Sequence, residues 1–210
     1  EKGWAYQTDL LEQGSLLISV PGDYWSLRRQ YFCKVVMLVI SHTPQFTAAL
    51  VLNRPTGLTT KDVTLGESAF EPDVVQSFLQ VTGLAEEPAE WKLWFGGDCE
   101  GLEVDEGVPM RHFCLHTLDA LAAESNPIIK GVYLIGFTEA QLAVKQQRAS
   151  KDDFMLIAGY TGWGPGQLQG ELDRGGAWIL GAADQGLLLG EPGDVPASLT
   201  ARLEEACATR

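Results

Sequence analysis

The chain has 210 residues, of which 45% are hydrophobic and 20% charged. That composition suits one globular domain able to bury roughly 70% of its unfolded surface, and it excludes an intrinsically disordered chain. Fifteen Lys and Arg stand against 28 Asp and Glu, a formal charge of −13, so neither a nucleic-acid backbone nor an anionic membrane surface is an expected partner.

The first fifteen residues, EKGWAYQTDLLEQGS, read as a polar lead-in with Trp4, Tyr6, Leu10 and Leu11 available to pin it down. LLISVP is a strand stopped by Pro21-Gly22, and DYWSLRRQYF is a short helix or an irregular crossing. KVVMLVISH is an apolar, β-branched run suited to a strand buried on both faces. FTAALVLN returns after His42-Thr43-Pro44-Gln45, which predicts a hairpin, and Asn53-Arg54-Pro55 with Gly57 closes the unit.

EPDVVQSFLQVTGL reads as a helix capped by Asp73 and ended by Gly83. KLWFGG is a strand with a Gly-Gly turn, DCEGLEVDEG an exposed connection, and MRHFCLH and YLIGF are further strands. Thr138 with Gln141 forms a capping-box pattern that starts EAQLAVKQQRA as a helix. FMLIAGY and AWIL are strands, and Pro196 opens a terminal helix, ASLTARLEEACA. Strands interrupted by a few helices, without regular βα alternation, predict an α+β domain whose sheet is mixed or largely antiparallel.

The longest apolar run, VVMLVI, falls far short of the ~20 residues a membrane span needs. The first residue is Glu1 rather than Met, which fits a processed or trimmed chain and leaves the compartment open. Cys33, Cys99, Cys114 and Cys207 form no CxxC, and their spacing selects none of the three possible pairings; buried free thiols are the simpler reading.

Four segments carry candidate chemistry. In GYTGWGPGQLQGEL, from Gly159 to Leu172, glycines run into an amphipathic pattern as they do in phosphate-binding turns. The spacing is neither GxGxxG nor GxxxxGK[ST], and the first cation is Arg174, behind Glu171 and Asp173. A tight structural corner is the better reading, with Pro165 in the first helical turn and Trp163 and Leu168 folded onto the core. His112, Cys114 and His116 alternate on one strand face and are all zinc-ligating types. Alternate strand residues lie about 6.7 Å apart, which forbids all three from sharing one ion, so these are weak metal candidates.

The Gly96-Gly97 turn offers N–H groups to an oxyanion, and Cys99 paired with His116 would make a cysteine enzyme, but Asp98 opposes thiolate formation. No GxSxG, HExxH or SxxK is present. Asn53-Arg54-Pro55 is the most suggestive polar cluster, since Arg54 suits a carboxylate or a partner's backbone. Its structural alternative is an Asx turn at Asn53 with Pro55 stopping the strand.

Four stretches in this order, GSLLISVPGDYW, ALVLNRPTG, WFGGDCEG with FCLH, and LIAGYTGWGPGQLQGEL with AWIL, resemble the AlgH/YqgE-like proteins. The resemblance runs from about Gly14 to Leu180 and rests most on the last block. It carries over Asn53, Arg54, Pro55, Gly96, Gly97, His116, Gly159, Gly162, Trp163, Gln167, Leu168, Glu171 and Trp178. Asp98-Cys99 replaces the Pro-Val that usually follows Gly-Gly.

The resemblance implies an α+β domain of bifurcated, coiled mixed β-sheets flanked by helices. Members are commonly labelled transcriptional regulators, without an established catalytic mechanism, and eukaryotic relatives look like plastid proteins. On this basis residues 1–13 are a lead-in, 14–190 the AlgH/YqgE-like domain and 191–210 a C-terminal helical extension. The expected function is non-enzymatic: a regulatory or accessory protein that meets a protein partner, in a plastid complex or otherwise in the cytoplasm, with no cofactor, nucleic acid or membrane span. The alternative is a small-molecule site or enzyme in which Asn53, Arg54, Gly96, Gly97, Trp163, Gln167 and Glu171 line one cleft. Direct DNA binding is the least favoured.

Overall fold

A computed structural model describes residues 4–20, 32–60, 90–99, 102–103, 109–110 and 112–189. The helix expected across EPDVVQSFLQVTGL, the crossing DYWSLRRQY, the terminal helix after Pro196 and Cys207 lie outside the described residues. Two six-stranded sheets face each other. The first runs β1 (Ala5–Gln7), β14 (Trp178–Ala183), β2 (Leu16–Ser19), β3 (Val36–His42), β4 (Thr47–Val51) and β13 (Thr161–Trp163). The second runs β10 (Asn126–Ile129), β11 (Val132–Gly136), β9 (His112–His116), β12 (Phe154–Ala158), β6 (Lys92–Phe95) and β5 (Pro55–Thr59). A two-stranded ribbon pairs β7 (Leu102–Glu103), inside the acidic stretch expected to be an exposed connection, with β8 (Pro109–Met110) just beyond it.

Only β12 with β6 is parallel; the other described pairs are antiparallel. The mixed α+β architecture expected from the sequence is therefore the one observed. Because strand side chains alternate, β3 divides its own run between two cores: Val36, Leu38 and Ile40 face the second sheet, while Met37 and Val39 face outward. The inter-sheet core adds Ala48, Leu50, Phe113, Leu115, Leu134 and Ile157. Outside the first sheet, Met37 and Val39 are covered by Trp163, Trp178 and by Leu168 of helix α2 (Gln167–Arg174). Outside the second sheet, Cys114, Ile135 and Leu156 are covered by Phe137, Ala140 and Ala143 of helix α1 (Phe137–Lys145). The result is helix, sheet, sheet, helix, with three apolar layers between them. A four-residue helix, α3 (Gln185–Leu188), follows β14 and is capped by the Asp184 carboxylate, which accepts from Leu187 N–H at 2.9 Å. No helix among the described residues is long and apolar enough to cross a membrane.

Four local expectations are corrected. Residues 5–7, read from the sequence as part of a polar lead-in and not as a strand, are β1, paired with Gly181–Ala183 of β14. Helix α1 begins at Phe137, with Gly136 as its cap and no side-chain cap bond, so Thr138 forms no capping box. Strand β11 stays paired through Gly136 with Phe113, and the Phe137 ring is drawn edge-on against Trp91 at 5.3 Å, which leaves Thr138 already inside the first turn. Helix α2 begins at Gln167 after a left-handed Gly166, φ 67°, so Pro165 precedes it in the turn instead of opening it. Pro55 does not end a strand but starts β5, at the edge of the second sheet, where a residue without an N–H is tolerated.

Candidate functional site

The glycine corner is where the two sheets join. Strand β12 leaves the second sheet through Gly159-Tyr160 and enters the first as β13. Beside it, Gly96 N–H donates to Ala158 O of the second sheet at 2.8 Å, while its carbonyl accepts from Val51 N–H of the first at 2.9 Å. Cys99 and Tyr160 exchange both backbone bonds, at 2.8 and 3.0 Å. A Cβ on Gly97 would lie 2.2 Å from the Tyr160 carbonyl, and one on Gly96 2.3 Å from the Gly159 oxygen. Glycine is required here because two backbones touch. The Gly96 N–H that an oxyanion would need is already given to Ala158.

Asn53 and Arg54 hold a different junction. The Asn53 side chain reaches across to another turn: its Oδ1 accepts from Val36 N–H at 3.0 Å and its Nδ2 donates to Lys34 O at 2.9 Å. This replaces the expected Asx turn. The Arg54 guanidinium donates to the Cys33 and Asn53 carbonyls, and partial burial pulls its pKa down from the ordinary value. Together they grip the turn at Lys34, a non-glycine residue held at φ 55°. The Arg54 carbonyl accepts from Phe95 N–H at 2.9 Å, which sets this clasp next to the Gly96 crossing.

Trp163, Gln167 and Glu171 do come together, with Trp178 as a fourth member. Glu171 is buried, and its Oε2 accepts from the indole N–H of Trp178 at 2.8 Å and of Trp163 at 3.2 Å. Its Oε1 faces Gln167 Nε2 at 3.4 Å, and Gln167 Oε1 accepts from Gly164 N–H at 3.2 Å. The two indoles meet edge to face, centroids 6.3 Å apart. Spacing hid this arrangement: Glu171 reads as one acid of an amphipathic helix, and only the register of β13 and β14 brings both indoles to it. Strand pairing also separates the two groups. Trp163 pairs with Thr47, whereas Asn53 lies beyond Val51, the other end of β4, about 13 Å along the strand.

His112, Cys114 and His116 share the outer face of β9, as their alternation predicts. His116 is 1% exposed and both its nitrogens are engaged. Nδ1 accepts from Leu118 N–H at 3.2 Å, which fixes the proton on Nε2; that nitrogen donates to Ser125 Oγ at 2.9 Å, and Ser125 Oγ–H donates to Leu121 O at 2.8 Å. The ring stacks on Tyr133 and meets Phe154 edge-on, both at 5.4 Å. Burial lowers its pKa to about 4, opposed by the Asp153 charge. Burial, with a contribution from Glu139, also pushes the Cys114 thiol well above its usual range, which makes it a packing group rather than a nucleophile. Ser125 was not legible as a partner, because it closes a 3-10 segment (Asp119–Glu124) that carries no helical period.

A Cys99–His116 enzyme is not assembled. His116 registers with Phe154, at one end of a β12 strand about 13 Å long, and Cys99 with Tyr160, beyond the other end. Among the described residues no three His, Cys, Asp or Glu side chains are grouped to hold a metal ion.

A family model described as AlgH-like matches residues 17–203. A UPF0301 protein from Caulobacter vibrioides is 32% identical over 183 residues, covering 85% of this chain and 79% of its own. Another from Sinorhizobium medicae is 30% identical over 175 residues, covering 83% and 77%. The solution structure of the AlgH protein from Pseudomonas aeruginosa has TM-score 0.60 at 23% identity, covering 97% of this chain and 90% of that one. A crystal structure of a Corynebacterium diphtheriae protein follows, with TM-score 0.58 at 18% identity over 91% and 86%. At these identities the structural likeness is one of fold.

Proposed function

The chain belongs to the AlgH-like family, and from that premise we propose that it is a non-enzymatic regulatory or accessory protein that works by contact with a protein partner. One observation supports this reading above the others: the polar side chains that looked functional are spent on internal bonds. Asn53 and Arg54 clasp the 33–36 turn, Glu171 takes two indole N–H groups, and His116 ties down residues 118–125. They serve three separate places in the fold rather than converging on one reacting centre, which a catalytic reading requires. The charge of −13 adds a preference for a basic partner surface. The relatives named above are bacterial, so the proposal carries no plastid host with it.

The test is native purification of the full chain from its source cells with mild cross-linking, followed by mass determination of the assembly. A stoichiometric protein partner, released as ionic strength rises, is the expected result. A monomer without partner, together with a metabolite that raises the melting temperature of the wild type but not of Arg54→Ala, would replace this reading with the small-molecule one.

A further inference from the structure

Helix α2 lies on the outer face of the first sheet with glycine at both ends. Gly166 precedes it at φ 67°, and Gly175 and Gly176 follow at 67° and 84°. A Cβ at any of these three, or at Gly170 inside the helix, would meet nothing within 4 Å. Unlike the glycines of the Gly97 crossing, these make no close approach, and they leave the backbone free to turn at either end of the helix. The bonds that close those ends are local. Gln167 N–H donates to Gly164 O at 3.1 Å, Gly170 N–H to Gly166 O at 2.9 Å, and Gly175 N–H to Leu172 O at 3.0 Å.

An eight-residue helix with an interior glycine does not hold its own shape in water, so α2 depends on what it touches. Leu168 and Glu171 are its buried side chains, and Leu172 is half-buried. Gln169, Asp173 and Arg174 face water, and Gln169 bonds to Asp173 along the helix at 2.7 Å. Among the described residues, the side-chain hydrogen bonds that join α2 to the strands come from Trp163 and Trp178 and end on one atom, Glu171 Oε2. An apolar side chain at that point would hold the helix by burial alone, whereas Glu171 carries inward a carboxylate that water also solvates well. On opening, its bonds to the indoles are exchanged for bonds to water, so the open state lies close above the closed one. Met37, Val39 and Trp163 lie beneath, on β3 and β13, and those strands pair with β4 without help from α2. The sheet keeps its ladder when the helix lifts.

We propose that α2 is a hinged lid, turning about Gly166 and Gly175-Gly176 and latched by Glu171, which opens from the first sheet while both sheets stay folded. Opening uncovers the Trp163 indole and the apolar face of β3 around Met37 and Val39. The inference goes beyond the protein-contact reading and does not depend on it.

The test is native-state hydrogen exchange on the full chain, read by NMR in urea below the unfolding transition. The probes are the amides of residues 170–174, the Trp163 indole N–H, and the amides of Val51 and Gly96. The α2 amides and the indole proton are expected to exchange together, at least ~100-fold faster than Val51 and Gly96 after correction for intrinsic rates, and with little urea dependence because little surface is exposed. Ile135→Val, beneath α1 on the other side of the molecule, should speed Val51 and Gly96 roughly two- to tenfold and leave α2 unchanged, because it weakens the open and closed forms alike. Glu171→Gln, which keeps the shape and removes the charge, should speed α2 and the indole proton at least ~fivefold. One free energy and one urea dependence shared by all the probes overturns the proposal, as does Ile135→Val speeding all of them equally, since α2 then opens only with global unfolding. Fast α2 amides beside an indole proton as slow as Val51 also overturn it, because the helix is then fraying in place. Unchanged α2 exchange in Glu171→Gln removes the latch and with it the proposal. None of these rates turns on whether a stoichiometric partner is found, so the two readings fail separately.

Discussion

Acidifying the protein from pH 7 to pH 4 should remove stability that depends on a neutral His116. In the folded chain its Nδ1 is an acceptor for Leu118 N–H and its ring is sealed between Tyr133 and Phe154, so a second proton has no place. The folded value of about 4 lies below the ordinary 6.5. The unfolded chain therefore takes up a proton first: stability is fully present above pH 6.5, falls as pH drops toward 4, and levels off below it. At ~1.4 kcal/mol for each pH unit between the two values, the loss is about 3 kcal/mol, a large part of the ~5–15 kcal/mol typical of a folded domain.

Carboxylates also titrate in this range, so the measurement is a difference. Urea unfolding of the wild type and of His116→Gln, at half-unit pH steps, yields two stability curves. The variant is the less stable at pH 7, and the gap should narrow by about 3 kcal/mol by pH 4, because only the wild type has this proton to gain. A gap that stays constant to within ~0.5 kcal/mol, or an NMR titration placing His116 near 6.5, would refute the burial argument.

Other substitutions probe the remaining junctions. Asn53→Ala removes an acceptor from Val36 N–H and a donor from Lys34 O, and should cost about 2–3 kcal/mol in denaturant unfolding. Glu171→Leu strands two indole N–H groups in the core and should cost about 2–4 kcal/mol, with a shifted tryptophan emission maximum. Gly97→Ala drives a Cβ to 2.2 Å from the Tyr160 backbone and should cost more than ~3 kcal/mol, whereas Gly170→Ala, in α2 with nothing within 4 Å, should raise the melting temperature.

Strands whose apolar pattern is set by burial were readable in advance. KVVMLVISH and FTAALVLN became β3 and β4 because both faces of each are covered, and KLWF, HFCLH and FMLIA followed for the same reason. What escaped were elements decided by a distant neighbour. AYQ is a strand only because β14 presents it an edge, and TGW only because Gly97 and Gly159 let β12 cross into the first sheet. The candidate residues behaved likewise. Asn53 and Glu171 were visible as unusual polar groups, but their partners lie 17 and 19 positions back for Asn53, and 8 back and 7 ahead for Glu171, on elements whose approach no local period encodes. Resemblance to a family supplied the fold where periodicity alone stopped at the class.

Gly96 ties both sheets together from a single residue, its N–H bonded to Ala158 on one side and its carbonyl to Val51 on the other. Neither sheet can melt without breaking a bond that the other uses, so the halves of the molecule are mechanically one body. Amide exchange at Val51 and Gly96 should then report global unfolding, at a common rate, although they sit on different layers. A partner that grips either layer alone would hold both.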